Sequence, residues 1–236
     1  SLCRNRSTAA RSHSNRPGNA FRMVAEQSAL GRRLRKLAAL DLEYYALNKP
    51  NYLDCQCHGM TAVWREKMVC WFEGLARAFD LSTTTVSAAV DYLDRYLSRK
   101  SCTPLNYQLV AVGALFLATK VEEPKPLTTS DLCMLTEGVF SREDVRLVEL
   151  ELLCALTWRL HPPAAETFVR LYVDLLAEAF AGPAPPRAEV EATALDFAAE
   201  AQRDYEFVAF PRHVVAAAAV LGALREHDAP REAAEA

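Results

Sequence analysis

Between Pro104 and Pro124 the chain reads "PLNYQLVAVGALFLATKVEEP", and inside it Val110 through Ala118 are nine consecutive small or apolar residues. A membrane span would need about 20 such residues. Proline is favoured in the first turn of a helix, and Pro124 and Pro126 cannot continue one. The run therefore predicts a helix from Pro104 to about Lys120 that is apolar nearly all round, which places it at the buried centre of a bundle. It ends on Lys120, with Glu122 and Glu123 following. Lysine is among the residues least often buried without a partner, so the central helix ends on a charge that needs water or a carboxylate. Glu122 and Glu123 stay open between solvated and partnered roles.

The segments around this run also carry helical periodicity. Leu30, Leu34, Leu37, Leu40 and Tyr44 mark one face of a helix over 28–47, closed by Asn48, Pro50 and Asn51. Met68, Trp71, Phe72, Leu75 and Phe79 mark another over 65–79, after a "CQCHGM" loop. Ser82 or Thr83 supplies an N-cap for the stripe Val86, Ala89, Val90, Leu93, Tyr96 and Leu97. Thr129 or Ser130 starts a short helix that Gly138 ends. Ser141 with Asp144 resembles a capping box ahead of Val145, Val148, Leu152 and Leu156. Beyond "HPP" at 161–163, helical patterns cover 165–180, 188–203 and 212–225, with "AGPAPPR" (181–187) as a loop. No stretch alternates with period two for long enough to be a strand. The expected fold is all-α: a basic disordered tail over 1–27, an N-terminal helix and loop over 28–60, a five-helix unit over 61–160 and a partial second unit over 161–236.

Composition narrows the class of function. With 236 residues, 51% of them hydrophobic, the chain can bury one large core or two small ones. A net charge of −3 gives no bulk attraction to nucleic acid or to an anionic membrane. Seven cysteines without framework spacing read as reduced, intracellular and mostly structural. The nearest metal motif, Cys55-Gln56-Cys57-His58, has no second ligand pair at zinc spacing, so neither metal nor cofactor is expected. Residues 1–22 hold five arginines and no acid, a composition shared by disordered tails and organelle transit peptides. "RRLRK" (32–36) reads either as a nuclear import signal or as the solvated face of the first helix.

The stretch "WREKMVCWFEGLARAFDLSTTTVSAAVDYLDRYLS" followed by "NYQLVAVGALFLATKVEEPKPLTTSDLCMLTEGVFSREDVRLVELELL" resembles the cyclin box. The likeness covers about residues 60–160. "ETFVRLYV" and "RDYEFVAFPRHVVAAAAVLGAL" resemble the start and middle of the second cyclin fold. The family's five marker positions are kept as Arg65, Asp94, Leu109, Lys120 and Glu149. The charged first helix is similar to cyclins of algae and protists, and "PLTTSDLCMLTE" resembles D-type cyclins.

The resemblance implies a non-catalytic regulatory subunit, in nucleus and cytoplasm, that binds and activates a cyclin-dependent protein kinase. Lys120 and Glu149 would form a polar clamp on the kinase's mobile regulatory helix. Leu117, Leu153, Trp158 and Leu160 would be its apolar partners, with Val121 in place of a usual aromatic. Arg65 and Asp94 would form an internal ion pair, and Leu109 would be core. In animal cell-cycle cyclins the first helix opens a groove for kinase substrates carrying RxL peptides. Trp64, Met68, Trp71 and Gln108 fall at or near it, while Glu66 and Lys67 put charge where that groove is apolar. "LDCQC" lacks the glutamate of an LxCxE motif, so no retinoblastoma-type contact is expected. The rival within the family is a cyclin-box adaptor in transcription; such proteins carry basic DNA-facing helices and a zinc ribbon, and here neither a basic balance nor a paired CxxC occurs. An enzyme on a helical scaffold finds no nucleophile–base motif, HExxH or glycine-rich phosphate loop. No nucleic-acid or membrane partner is expected.

Overall fold

Five of the described helices begin where a side-chain oxygen satisfies backbone amides that have no partner inside the helix. The computed structural model describes residues 26–179 and 187–228. Nearly all of the expected basic tail, the 181–187 loop up to its last residue and the final polar residues fall outside them. Among the described residues there are nine α-helices and no strand: α1 (Ala29–Tyr45), α2 (Ala62–Phe79), α3 (Thr83–Leu97), α4 (Pro104–Glu122), α5 (Thr129–Leu135), α6 (Arg142–Ala155), α7 (Ala165–Ala179), α8 (Arg187–Arg203) and α9 (Arg212–Asp228). None is long and apolar enough to cross a membrane. Ser28, Ser82 and Thr103 cap α1, α3 and α4 through their hydroxyls. Full capping boxes open α5 (Thr128 with Asp131) and α6 (Ser141 with Asp144). α2 starts one turn before the expected Arg65, because Ala62 and Val63 face solvent and leave no apolar signal.

The five helices α2 to α6 enclose the first core. α4 runs through its centre, with every residue from Val110 to Thr119 buried. Where α4 crosses α6, a Cβ on Gly113 would sit 2.7 Å from Val148 Cγ1, so only glycine lets the helices meet this closely. Leu109, expected in the core, is half-buried and packs on its margin. α7, α8 and α9 form a second core from Phe168, Val169, Val190, Ala194, Ala216 and Val220. α1 lies against this second core through Leu34, Leu37 and Ala38, although it precedes the first unit in sequence. Its cations Arg32, Arg33, Arg35 and Lys36 are exposed. The "RRLRK" segment is thus the outer face of a packed helix.

A buried ion pair in the first unit also reaches the second. Arg65 on α2 donates from Nε and Nη2 to the two carboxylate oxygens of Asp94 on α3, each at 2.9 Å. Its Nη1 donates to the backbone carbonyls of Gln202 and Arg203 at the end of α8, both at 2.9 Å. Tyr52 donates its hydroxyl to Asp94 at 2.8 Å, and its ring meets Tyr205 edge-on at 5.1 Å. Burial works against the charge of Arg65, and Asp94 more than offsets it, so the guanidinium is held firmly protonated. Removing one partner of a buried pair strands the other charge. Asp94→Ala is therefore expected to lower the unfolding free energy by about 3–5 kcal/mol in urea denaturation; a loss under about 1 kcal/mol would mean that the pair is not what ties these helices together.

Candidate partner-docking site

The lysine that ends the buried helix is answered by a carboxylate 29 residues away. Lys120 Nζ donates to Glu149 Oε1 at 2.7 Å and to Oε2 at 2.9 Å, joining the end of α4 to the middle of α6. The ammonium also lies 4.0 Å from the ring centroid of Phe116, one turn earlier on α4. Its stem therefore covers the core while its head reaches water. The Lys120 side chain is 39% exposed and that of Glu149 17%. An ammonium has three donors and each carboxylate oxygen two lone pairs. One N–H and part of the carboxylate remain available to an incoming backbone.

Apolar side chains surround the pair at different depths. Val121, Leu153 and Leu160 are half-buried, and Trp158 is 68% exposed. Leu117 is only 3% exposed. It is a floor beneath the face, because α4 turns that side toward the bundle, and it offers an incoming partner no surface as the chain stands. Leu147 and Leu150 on α6 are more than half exposed, and the sequence reading passed over both. The signal was present: they fall off the stripe of Val145, Val148, Leu152 and Leu156 that buries α6.

Trp158 projects from an unusual backbone. Thr157 and Trp158 both adopt left-handed φ, +51° and +58°. For an L-residue other than glycine this costs roughly 1–2 kcal/mol. The Trp158 amide bonds back to the Leu153 carbonyl at 3.2 Å, so the chain folds over the last turn of α6. Trp158→Gly removes an exposed ring and frees a backbone conformation that glycine adopts without penalty. The variant is expected to match or exceed native stability by up to about 1 kcal/mol, read as an equal or higher urea midpoint; a clear loss would mean that the ring supports the fold.

Elsewhere on α2, Met68 and Trp71 line a shallow groove with Gln108, Val112, Thr136, Val139 and Phe140, about 230 Å³ in volume. Glu66 and Lys67 are exposed and outside this lining, two and one helical steps around from Met68. Trp64, expected in the groove, is not part of it. Its ring packs on Tyr107 at 6.2 Å, and its carbonyl accepts the Tyr107 hydroxyl at 3.2 Å. The groove is thus built by Met68, Trp71 and Gln108 of the four candidates.

Of the two glutamates after Lys120, Glu123 has a partnered role. Glu123 Oε1 accepts the Ser82 amide at 2.7 Å and the Thr85 hydroxyl at 2.5 Å, completing the cap of α3. Burial raises its pKa, but the bonds from Thr85 and Ser82 outweigh that, and the net shift is below the ordinary 4.5. A depressed carboxyl stabilises the fold above its ordinary pKa and loses that contribution as pH falls through the folded value. A charge at a helix start is worth about 0.3–1 kcal/mol. Glu123→Gln is accordingly expected to be less stable than the native chain by that amount at pH 7, with the gap narrowing as pH falls below the ordinary 4.5, in paired urea titrations. A gap that does not narrow with acidification would contradict the charge-based cap.

Comparison with known proteins gives this geometry its context. The family model described as cyclin, N-terminal domain, matches residues 38–161. Cyclin-A3-2 of Arabidopsis thaliana is 30% identical over 171 residues, covering 72% of this chain and 45% of its own length. Cyclin-A3-3 of the same plant is 31% identical over 170 residues, or 72% of this chain and 51% of its own. The G2/mitotic-specific cyclin cig2 of Schizosaccharomyces pombe is 33% identical over 129 residues, covering 55% and 31%. The chain thus spans about half the length, or less, of these curated relatives. In fold it is similar to the crystal structure of a viral cyclin from herpesvirus saimiri, with a TM-score of 0.68 at 22% identity, covering 82% of this chain and 83% of that one. A family model that takes in more than half the residues, laid over the same five-helix unit that holds the Lys120–Glu149 pair, places the chain in the cyclin family.

Proposed function

We propose that this chain is a regulatory subunit that binds and activates a cyclin-dependent serine/threonine protein kinase in cell-cycle control, working in nucleus and cytoplasm. The observation that carries the reading is the half-exposed Lys120–Glu149 pair, with unused hydrogen-bonding capacity, at the edge of exposed apolar side chains. The names of its relatives, A-type and G2/mitotic-specific cyclins, support the cell-cycle role.

The action needs no chemistry on this chain. In protein kinases a lysine–glutamate pair, with its glutamate on a mobile helix, must form before the ATP phosphates are oriented. A partner that packs against that helix only in its inward position shifts the equilibrium toward it. Taking such a switch from 1:99 to 99:1 requires about 5.5 kcal/mol of differential binding. At about 25 cal/mol per Å², roughly 200 Å² of apolar surface buried only in the active state supplies that amount. Trp158 and Val121, with the flanking Leu150 and Leu153, offer surface of this kind, and the clamp fixes register by taking backbone groups of the incoming helix. The groove of Met68, Trp71 and Gln108 would receive kinase substrates on the same chain.

The test is a pull-down from a eukaryotic lysate with the native chain and with Lys120→Ala/Glu149→Ala, reading bound kinases and histone phosphorylation. The native chain is expected to recover an active kinase, and the double variant to lose most of it while keeping its helical circular dichroism. Equal recovery by both would show that the clamp is not the docking centre. Recovery by neither would favour an adaptor without a kinase.

A further inference from the structure

The turn that carries Trp158 is held from behind by side chains that do not belong to the docking face. Arg95 on α3 is 1% exposed. Its Nε donates to Asp91 at 2.7 Å, and its Nη2 donates to the Arg159 carbonyl at 2.6 Å. The guanidinium carbon lies 5.1 Å from the Tyr44 ring centroid and 5.8 Å from that of Tyr92, so two aromatic faces enclose the cation. Tyr92 donates its hydroxyl to the Leu160 carbonyl. The Tyr44 hydroxyl accepts the His161 amide at 3.2 Å. Residues 159, 160 and 161 are thus each bonded by a different side chain, and the three side chains form one stacked group.

This arrangement accounts for a conformation that the local sequence does not favour. A left-handed pair without glycine persists only where its surroundings over-determine it. Here the residue after the pair, and the two beyond it, are each pinned to α1 or α3. We propose that Arg95, Tyr92 and Tyr44 are positioning residues for kinase docking, holding the 157–161 turn in the one conformation that presents Trp158 at the docking face. This rests on the kinase-binding reading above. It also makes α1 a brace: Tyr44 at its end holds the turn of the first unit, while Leu34 and Leu37 are seated on the core of the second.

The test removes only oxygens. Tyr44→Phe/Tyr92→Phe keeps both rings around Arg95 and deletes the acceptor for His161 and the donor to Leu160. The native chain and the variant are labelled with 5-fluorotryptophan, and the Trp158 resonance is assigned with Trp158→Phe. Affinity is measured in parallel against a purified cyclin-dependent kinase from Arabidopsis thaliana. The variant's Trp158 resonance should broaden or split while those of Trp64 and Trp71 stay in place. If the presented conformation falls to a tenth of the population, affinity falls about tenfold. An unchanged Trp158 resonance with affinity within twofold of native would overturn the proposal. So would equal movement of all three resonances, which would make the hydroxyls general supports of the core. If the native chain bound no kinase, the docking reading would fall, and the Trp158 resonance alone would still decide whether the hydroxyls hold the turn.

Discussion

The architecture depends on one desolvated guanidinium. Arg65 reaches its carboxylate on the next helix, and the same group takes two carbonyls from the end of α8, more than 130 residues later. With Tyr52 on Asp94 and Tyr205 against Tyr52, a single charge fixes α2 to α3 and both to the second unit. Such a group is costly to bury and costlier to leave unpaired. An alternative packing of the two units keeps the Arg65–Asp94 pair on α2 and α3 but leaves the Nη1 of Arg65 without the Gln202 and Arg203 carbonyls. A second set of charges repeats the logic nearby. Asp91 is bonded by both Arg95 and Arg212, and Asp41 takes the backbone amide and ring of His213.

The proposed docking site uses the opposite economy. Lys120, in the last turn of α4, follows three buried turns with no polar residue except Thr119, and its charge escapes by lying along Phe116 toward Glu149. The pair is therefore fixed in direction by the core yet wet enough to exchange partners. Exposed charges at this distance contribute little to stability. Their value lies in being pre-oriented beside apolar surface, which is what a partner's backbone requires if it is to be desolvated without losing its hydrogen bonds.

How much of this was legible in the sequence follows from what periodicity records. Burial on one face writes itself into spacing, so every helix was visible, and the all-buried run at Val110 marked the central one. The helices of the first core and the three after them were legible for the same reason, and the cyclin resemblance rested on them. Lys120 and Glu149 were joined only through that resemblance, since nothing in composition pairs residues 29 apart. Contacts made by side chains that fold back left no trace. Arg95 four residues after Asp91 looks like an ordinary surface pair, yet it is sealed beneath the turn at 159. Thr157 and Trp158 carry no glycine or asparagine to announce a left-handed bend. The seating of α1 on the distant second core is tertiary, and so is the burial of Leu117 one turn before a partly exposed lysine.

The central claim is that the end of α4, the outer side of α6 and the turn at 157–161 form one kinase-docking face. Amide hydrogen exchange of the native chain, alone and saturated with a purified cyclin-dependent kinase, tests it most directly. The account predicts added protection at residues 119–123 and 149–161, with α9 unchanged. Protection confined to the second unit, or none in the presence of bound kinase, would contradict it.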